Sequence, residues 1–115
     1  MKILQFIADG SPGGGTNHGL QVLKGFQSEA ELILLTQQHT FLEREAKQLG
    51  IEVVVGDFQK SRFNPAAIRL ARQTIQIHQP DFVHAHGGRA AFFAGMTRLP
   101  VPAIYTVHGL SLIHI

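Results

Sequence analysis

Asp9-Gly10-Ser11-Pro12-Gly13-Gly14-Gly15-Thr16-Asn17-His18 separates an apolar run, Ile3-Leu4-Gln5-Phe6-Ile7-Ala8, from an amphipathic run that begins near Thr16. The pattern is a buried strand, a glycine turn and a helix start. The unpaired N–H groups of a first helical turn and the positive end of its dipole then point outward together, and glycine lets an anion, phosphate above all, come close to the backbone. The plainer reading is a tight strand-to-helix turn that binds nothing. Three consecutive glycines, Gly13, Gly14 and Gly15, exceed what turning alone requires, so the loop is read as a binding loop.

Outward from this loop, strand and helix patterns alternate. Residues 2–8 form a near-continuous apolar stretch, as expected of a strand buried on both faces. Gly19, Val22, Leu23 and Phe26 recur at helical spacing and predict a helix over about 16–28. Glu31-Leu32-Ile33-Leu34-Leu35-Thr36 is a second buried strand. Thr40-Phe41-Leu42-Glu43 is a capping box that opens a helix with Leu42, Ala46 and Leu49 inward, and Gly50 stands where a left-handed cap closes it. Residues 51–55 make a β-branched third strand and 56–63 a loop. Asn64 followed by Pro65 starts a helix whose buried face is predicted as Ala67, Leu70, Ala71, Thr74 and Ile77, stopped at Gln79-Pro80. Asp81-Phe82-Val83-His84-Ala85-His86 is a fourth strand, Gly87-Gly88 a turn, and 89–98 a fourth helix. Pro100 and Pro102 bracket the turn into a fifth strand, Ala103-Ile104-Tyr105-Thr106-Val107-His108.

Five strands alternating with four helices imply an α/β fold: a doubly wound, Rossmann-like parallel sheet with right-handed crossovers and helices on both faces. Strand order 3-2-1-4-5 places the topological switch between the first and fourth strands, where ligands of such sheets bind at the carboxyl ends. Three separated segments converge there: the glycine loop, His86-Gly87-Gly88-Arg89, and His108-Gly109.

Composition bounds the partners. With 115 residues, 44% hydrophobic and 16% charged, the chain makes one globular domain. A net charge of +2, from ten Lys and Arg scattered without a run, gives little support for nucleic-acid binding. The absence of cysteine removes disulfides, thiolate metal sites and a cysteine nucleophile. No apolar run reaches the roughly 18 residues of a membrane span. A cytoplasmic location is expected, with a peripheral membrane contact at its inner face left open.

Several chemistries fail on spacing. Counting from Gly13, the third glycine of a dinucleotide fingerprint falls on His18, and the second strand ends in Thr36-Gln37-Gln38 with no acid. Gly15 is followed by Thr16, without the lysine of a nucleotide-hydrolase phosphate loop, and no Gly-x-Ser-x-Gly elbow occurs. His84 and His86 share a strand face and with His108 could ligate zinc, but a carboxylate partner is lacking, since Asp81 sits at the strand's other end. No metal is expected. Arg89, at a helix start, is placed either to grip a phosphate or carboxylate or to stand in solvent. His108, ending an apolar strand with Gly109 behind it, is placed for a role at the crevice.

Met1-Lys2-Ile3-Leu4 with Gly14-Gly15 and His18, then Pro80-Asp81-Phe82-Val83-His84-Ala85-His86-Gly87, then Pro102-Ala103-Ile104-Tyr105-Thr106-Val107-His108-Gly109, taken in this order, resemble one family. The chain is similar to the N-terminal domain of GT-B type retaining glycosyltransferases, the family-four-like group that includes many bacterial lipopolysaccharide, exopolysaccharide and phosphatidylinositol mannosyl transferases. The resemblance covers the chain through Gly109. It implies two Rossmann-like domains facing across a cleft, a nucleotide-sugar donor as co-substrate, a saccharide or lipid acceptor held mostly by the N-terminal domain, and no cofactor or catalytic metal. It places Gly13, Gly14 and Gly15 near the donor diphosphate or the acceptor, and His86, Gly87, Gly88 and Arg89 along the cleft. It brings His108 to the donor sugar as the catalytic neighbour, with Gly109 beside it.

The family's donor site, with two glutamates seven residues apart, belongs to a second, C-terminal domain that is absent here. Residues 1–109 therefore read as the acceptor-side domain, from which transfer alone is not expected. Leu110-Ser111-Leu112-Ile113-His114-Ile115 matches what a common transposon-end sequencing adaptor encodes in one frame, so His114 is assigned no role, although Gly109-Leu110-Ser111 also reads as native sequence. On this reading the fifth strand would stand as an uncovered apolar sheet edge. Two alternatives stay open: a stand-alone Rossmann- or flavodoxin-like module binding phosphate or another anion, and a sugar-nucleotide epimerase on the same two-domain plan.

Overall fold

The structure, a computed structural model, describes residues 1–10, 14–60, 64–107 and 110–114. Its elements run β1 (Lys2–Ile7), α1 (Gly14–Phe26), β2 (Glu31–Gln37), α2 (Phe41–Gln48), β3 (Glu52–Gly56), α3 (Pro65–His78), β4 (Phe82–His86), α4 (Gly88–Met96), β5 (Ala103–Val107) and β6 (Leu110–His114). β1 to β5 are parallel in the order 3-2-1-4-5. That is the doubly wound α/β fold predicted from the alternation of runs.

The pleat divides each strand between two cores. Ile3 and Ile7 of β1 face α1 and α2, packing with Leu20, Leu23, Leu34 and Leu42. Leu4 and Phe6 face α3 and α4, packing with Ile33, Leu35, Ala71 and Phe93. β1 and β2 are buried along nearly their whole length, which is why their sequences read as apolar runs without alternation.

The helix ends follow their local chemistry. Thr40 caps α2 by accepting from the Glu43 N–H at 3.4 Å, while the Glu43 carboxylate accepts from the His39 N–H at 2.7 Å, one residue outside the usual reciprocal partner. Gly50, at φ +79°, supplies the left-handed residue beyond α2. Asn64 accepts from the Ala66 N–H at 3.1 Å and Pro65 opens α3.

Three expectations are corrected. Phe26 ends α1 and is 45% exposed, because the inner stripe of α1 is Thr16, Gly19, Leu20 and Leu23. Ile77 is 77% exposed and Ile75 takes its place in the core. Measured from Ala71, residue 75 lies one turn on and returns to the same face, whereas residue 77 has rotated well away from it. The uncovered edge expected at β5 is covered: β6 folds back antiparallel, pairing Ala103 with His114 through Val107 with Leu110. β6 rather than β5 is therefore the outer strand. Among the described residues, no helix is long and apolar enough to cross a membrane.

Candidate functional site

The switch between β1 and β4 opens at the carboxyl ends of the strands, as the sheet order requires. On one side α1 begins at Gly14, so Gly14 and Gly15 form the first turn of this helix, two residues earlier than predicted. On the other side β4 ends at His86, Gly87 caps α4, and Gly88 and Arg89 open it. Gly87 sits at φ +87° with no atom in reach of an added Cβ, so a backbone torsion and not space sets the preference for glycine there. The expected residues Gly13, His108 and Gly109 lie outside the described residues.

Gly10, inside the glycine-rich stretch, has a structural duty instead. A Cβ at this position would run into the hydroxyl of Thr40 and press on Leu42, and the Gly10 carbonyl accepts from the Leu42 N–H at 3.0 Å. The end of β1 is thus sealed against the start of α2. Thr16 turns its hydroxyl back to the Asp9 carbonyl at 3.3 Å, which fixes the entry of α1.

His86 and His84 point to the α1 side of the sheet, with ring centroids 4.0 Å apart, and His18 of α1 stands 6.1 Å from the His86 ring. This contact joins the glycine-loop helix to the end of β4, so two of the three predicted segments do meet. Beneath them Gln5, 2% exposed, places its carbonyl oxygen 2.6 Å from His86 Nε2. Burial, reinforced by the neighbouring histidines His84 and His18, pushes the His86 imidazole down to about 3, and burial followed by the charge of His18 also lowers His84. His86 is therefore neutral at pH 7 and brings hydrogen bonds but no charge to an anion. Among the described residues no group of three or more His, Cys, Asp or Glu is arranged to hold a metal ion.

The β3–α3 loop forms a wall that reading the sequence did not assign. Phe58 is fully buried against Phe6 and Phe93, at centroid distances of 5.0 and 5.5 Å. With that ring as anchor, the Gln37 amide accepts from the Phe58 N–H at 2.6 Å and donates to Asp57 at 3.1 Å, and Gln59 donates to the Ala8 carbonyl at 2.7 Å. The amide of Gln37, followed by the Gln59 N–H, holds the Asp57 carboxyl below its ordinary value. Arg89 donates to the Phe58 carbonyl at 3.3 Å, so its guanidinium is half-buried at the crevice wall rather than free in solvent. The available signals were an aromatic flanked by polar residues in a loop (Phe58) and a single amide in an apolar strand (Gln5). A cavity of about 440 Å3 between the α4–β5 connection and Ile75, Val83 and Tyr105 lies away from the crevice and contains none of these groups.

The family model described as Glycosyltransferase Family 4 matches residues 12–114. The chain belongs to glycosyltransferase family 4. No curated protein is significantly similar to this family 4 chain. Among solved structures it is similar to Acinetobacter baumannii MurG, with a TM-score of 0.72 and 20% identity over 92% of this chain and 34% of that one. It is also similar to S. aureus MnaA, solved with UDP, with a TM-score of 0.66 and 18% identity over 91% of this chain and 28% of that one. At these identities the likeness is one of fold. The family 4 chain spans about a third of the length of these two proteins.

Proposed function

We propose that this family 4 chain is the acceptor-side domain of a retaining glycosyltransferase that moves a hexosyl group from a nucleotide-sugar donor to a saccharide or lipid acceptor. The observation that carries the reading is the β1/β4 switch itself, where the starts of α1 and α4 face one crevice in a chain matched to the family over residues 12–114. Two helix starts offer N–H dipoles to a leaving diphosphate without supplying a mobile charge, which suits phosphate departure. The fold likeness to MnaA, a protein solved with UDP, supports a uridine-nucleotide donor class.

In this reading Gly13, Gly14 and Gly15 let the ligand approach the start of α1, and Gly87 and Arg89 line the opposite wall. His108 and Gly109 approach the donor sugar, and His108 stabilises the developing positive charge by hydrogen bonding. A second Rossmann-like domain completes the donor site, and no cofactor or metal takes part. The enzyme works at the cytoplasmic side of the envelope, in glycan assembly.

The test starts with a long read of the native gene through its 3′ end. A frame that continues past Gly109 for a further domain, on the order of 200 residues, and contains two glutamates with seven residues between them is the expected result. The complete enzyme is then assayed for sugar transfer, and His108→Ala should lower turnover by more than about tenfold with little change in folding stability. A genuine stop after Ile115, or unchanged turnover in His108→Ala, overturns the transfer reading or the role of His108 respectively.

A further inference from the structure

Gln5 is the one polar side chain in the apolar run of β1, and it is buried to 2% exposure in the middle of the sheet. A buried amide is costly unless it is hydrogen-bonded, so the identity of its partner matters. That partner is His86 Nε2, at 2.6 Å from Gln5 Oε1. A carbonyl oxygen only accepts, so the His86 proton sits on Nε2, and in a neutral imidazole the other nitrogen, Nδ1, then carries a lone pair. The His86 ring is further held by stacking on His84 and by the edge of His18.

We infer that Gln5 is a positioning residue that locks His86 in the Nε2–H tautomer, so that His86 Nδ1 accepts a hydrogen bond from a hydroxyl of a sugar ligand; the sugar part rests on the transferase reading above. The crevice then divides its labour. Helix starts address phosphate, while the uncharged histidine addresses hydroxyls, which donate to a lone pair and need no compensating charge. Among the described residues, the titratable groups facing His86 are His84 on its own strand and His18 on α1. β1 presents Gln5 beside it and Ile7 as its register partner, and Thr106 is its register partner on β5. A proton on His86 would face two further imidazoles and would remove the acceptor, so the neutral tautomer is the one the surroundings favour.

Ring-nitrogen NMR of the 115-residue chain, without any ligand, tests the lock. In the wild type, His86 is expected as a single Nε2–H tautomer, neutral from pH 8 down to pH 5. An Nδ1–H tautomer, or protonation with a midpoint near the ordinary histidine value of about 6.5, overturns the inference. Gln5→Leu should let the two tautomers mix to within a few-fold of each other, and an unchanged ratio in that variant overturns the role of Gln5. Gln5→Glu keeps the acceptor and adds a charge, so it should retain Nε2–H and raise the midpoint by more than about one pH unit. The wild-type spectrum decides even where a variant does not fold. Because no substrate is present, a failure of sugar transfer in the complete enzyme would refute the transferase reading and leave the tautomer result standing.

Discussion

Replacing Phe58 by alanine removes the anchor of the β3–α3 loop, and the cost can be worked from its surroundings. The ring is fully buried and meets Phe6 and Phe93 edge-on, with interplanar angles of 66° and 69°. Burying a phenylalanine contributes about 1.5–3 kcal/mol by transfer alone, and the cavity left behind brings Phe→Ala losses to about 3–5 kcal/mol. Two edge-to-face contacts, each worth about 0.5–1.5 kcal/mol, place Phe58→Ala in the upper half of that range, near 4 kcal/mol as an order of magnitude. Set against a total stability of roughly 5–15 kcal/mol for a domain, that is a large fraction. With a urea dependence of about 2 kcal/mol per molar, the unfolding midpoint followed by circular dichroism should fall by about 2 M, and in Phe58→Leu by less than half as much. The loss should also be visible at the site. The Phe58 N–H bonded to Gln37 and the Phe58 carbonyl bonded to Arg89 hang on this ring, so amide exchange at residues 58 and 59 should quicken in Phe58→Leu under conditions where the chain stays folded. A midpoint shift below about 0.5 M in Phe58→Ala would mean that the ring does not hold the loop to the core.

Gly10→Ala should cost about 1–3 kcal/mol by pushing Thr40 and Leu42, and with them the start of α2, away from the end of β1, measured as a drop in the urea midpoint. The depressed proton affinity of His86 makes the unfolded chain bind more protons than the folded one between about pH 3 and 6.5, so this contribution to stability is complete above pH 6.5 and declines as pH falls toward 3. The urea midpoint of the wild type should therefore fall between pH 7 and pH 5, and His86→Phe should flatten that dependence. Glu43 acts in a lower window: Lys47 and the His39 N–H hold its carboxyl below 4.5, so its contribution is present above that value and is lost only in stronger acid. Glu43→Gln should lose that acid dependence in the same titration.

The capping residues Thr40 and Asn64, the left-handed Gly50, and the apolar runs of β1, β2 and β4 were legible because each depends on neighbours within four residues. From their alternation followed the parallel sheet, its order, and the crevice between Gly14 and His86. Helix faces were legible only to within a turn: Ile77 and Ile75 both fit a periodic pattern, and the packing of α3 on the sheet selected Ile75. The glycine-rich stretch was read as a unit, but its residues part company in three dimensions. Gly10 is required by the approach of α2, whereas Gly14 and Gly15 open the crevice helix.

The set of elements and their order follow from local chemistry, because hydrophobic period, caps and turn residues act along the chain. Which side chains share a surface is settled only when the elements pack. Gln5 and His86 are 81 residues apart, Gln59 and Ala8 are 51 apart, and Arg89 and Phe58 are 31 apart. No local preference links such pairs. They meet because parallel pairing puts β1 beside β4 and aligns Gln5 with His84, which brings an amide within reach of the next inward-facing histidine. The charge state of His86 follows from that meeting, since desolvation is a property of the surroundings and not of the residue.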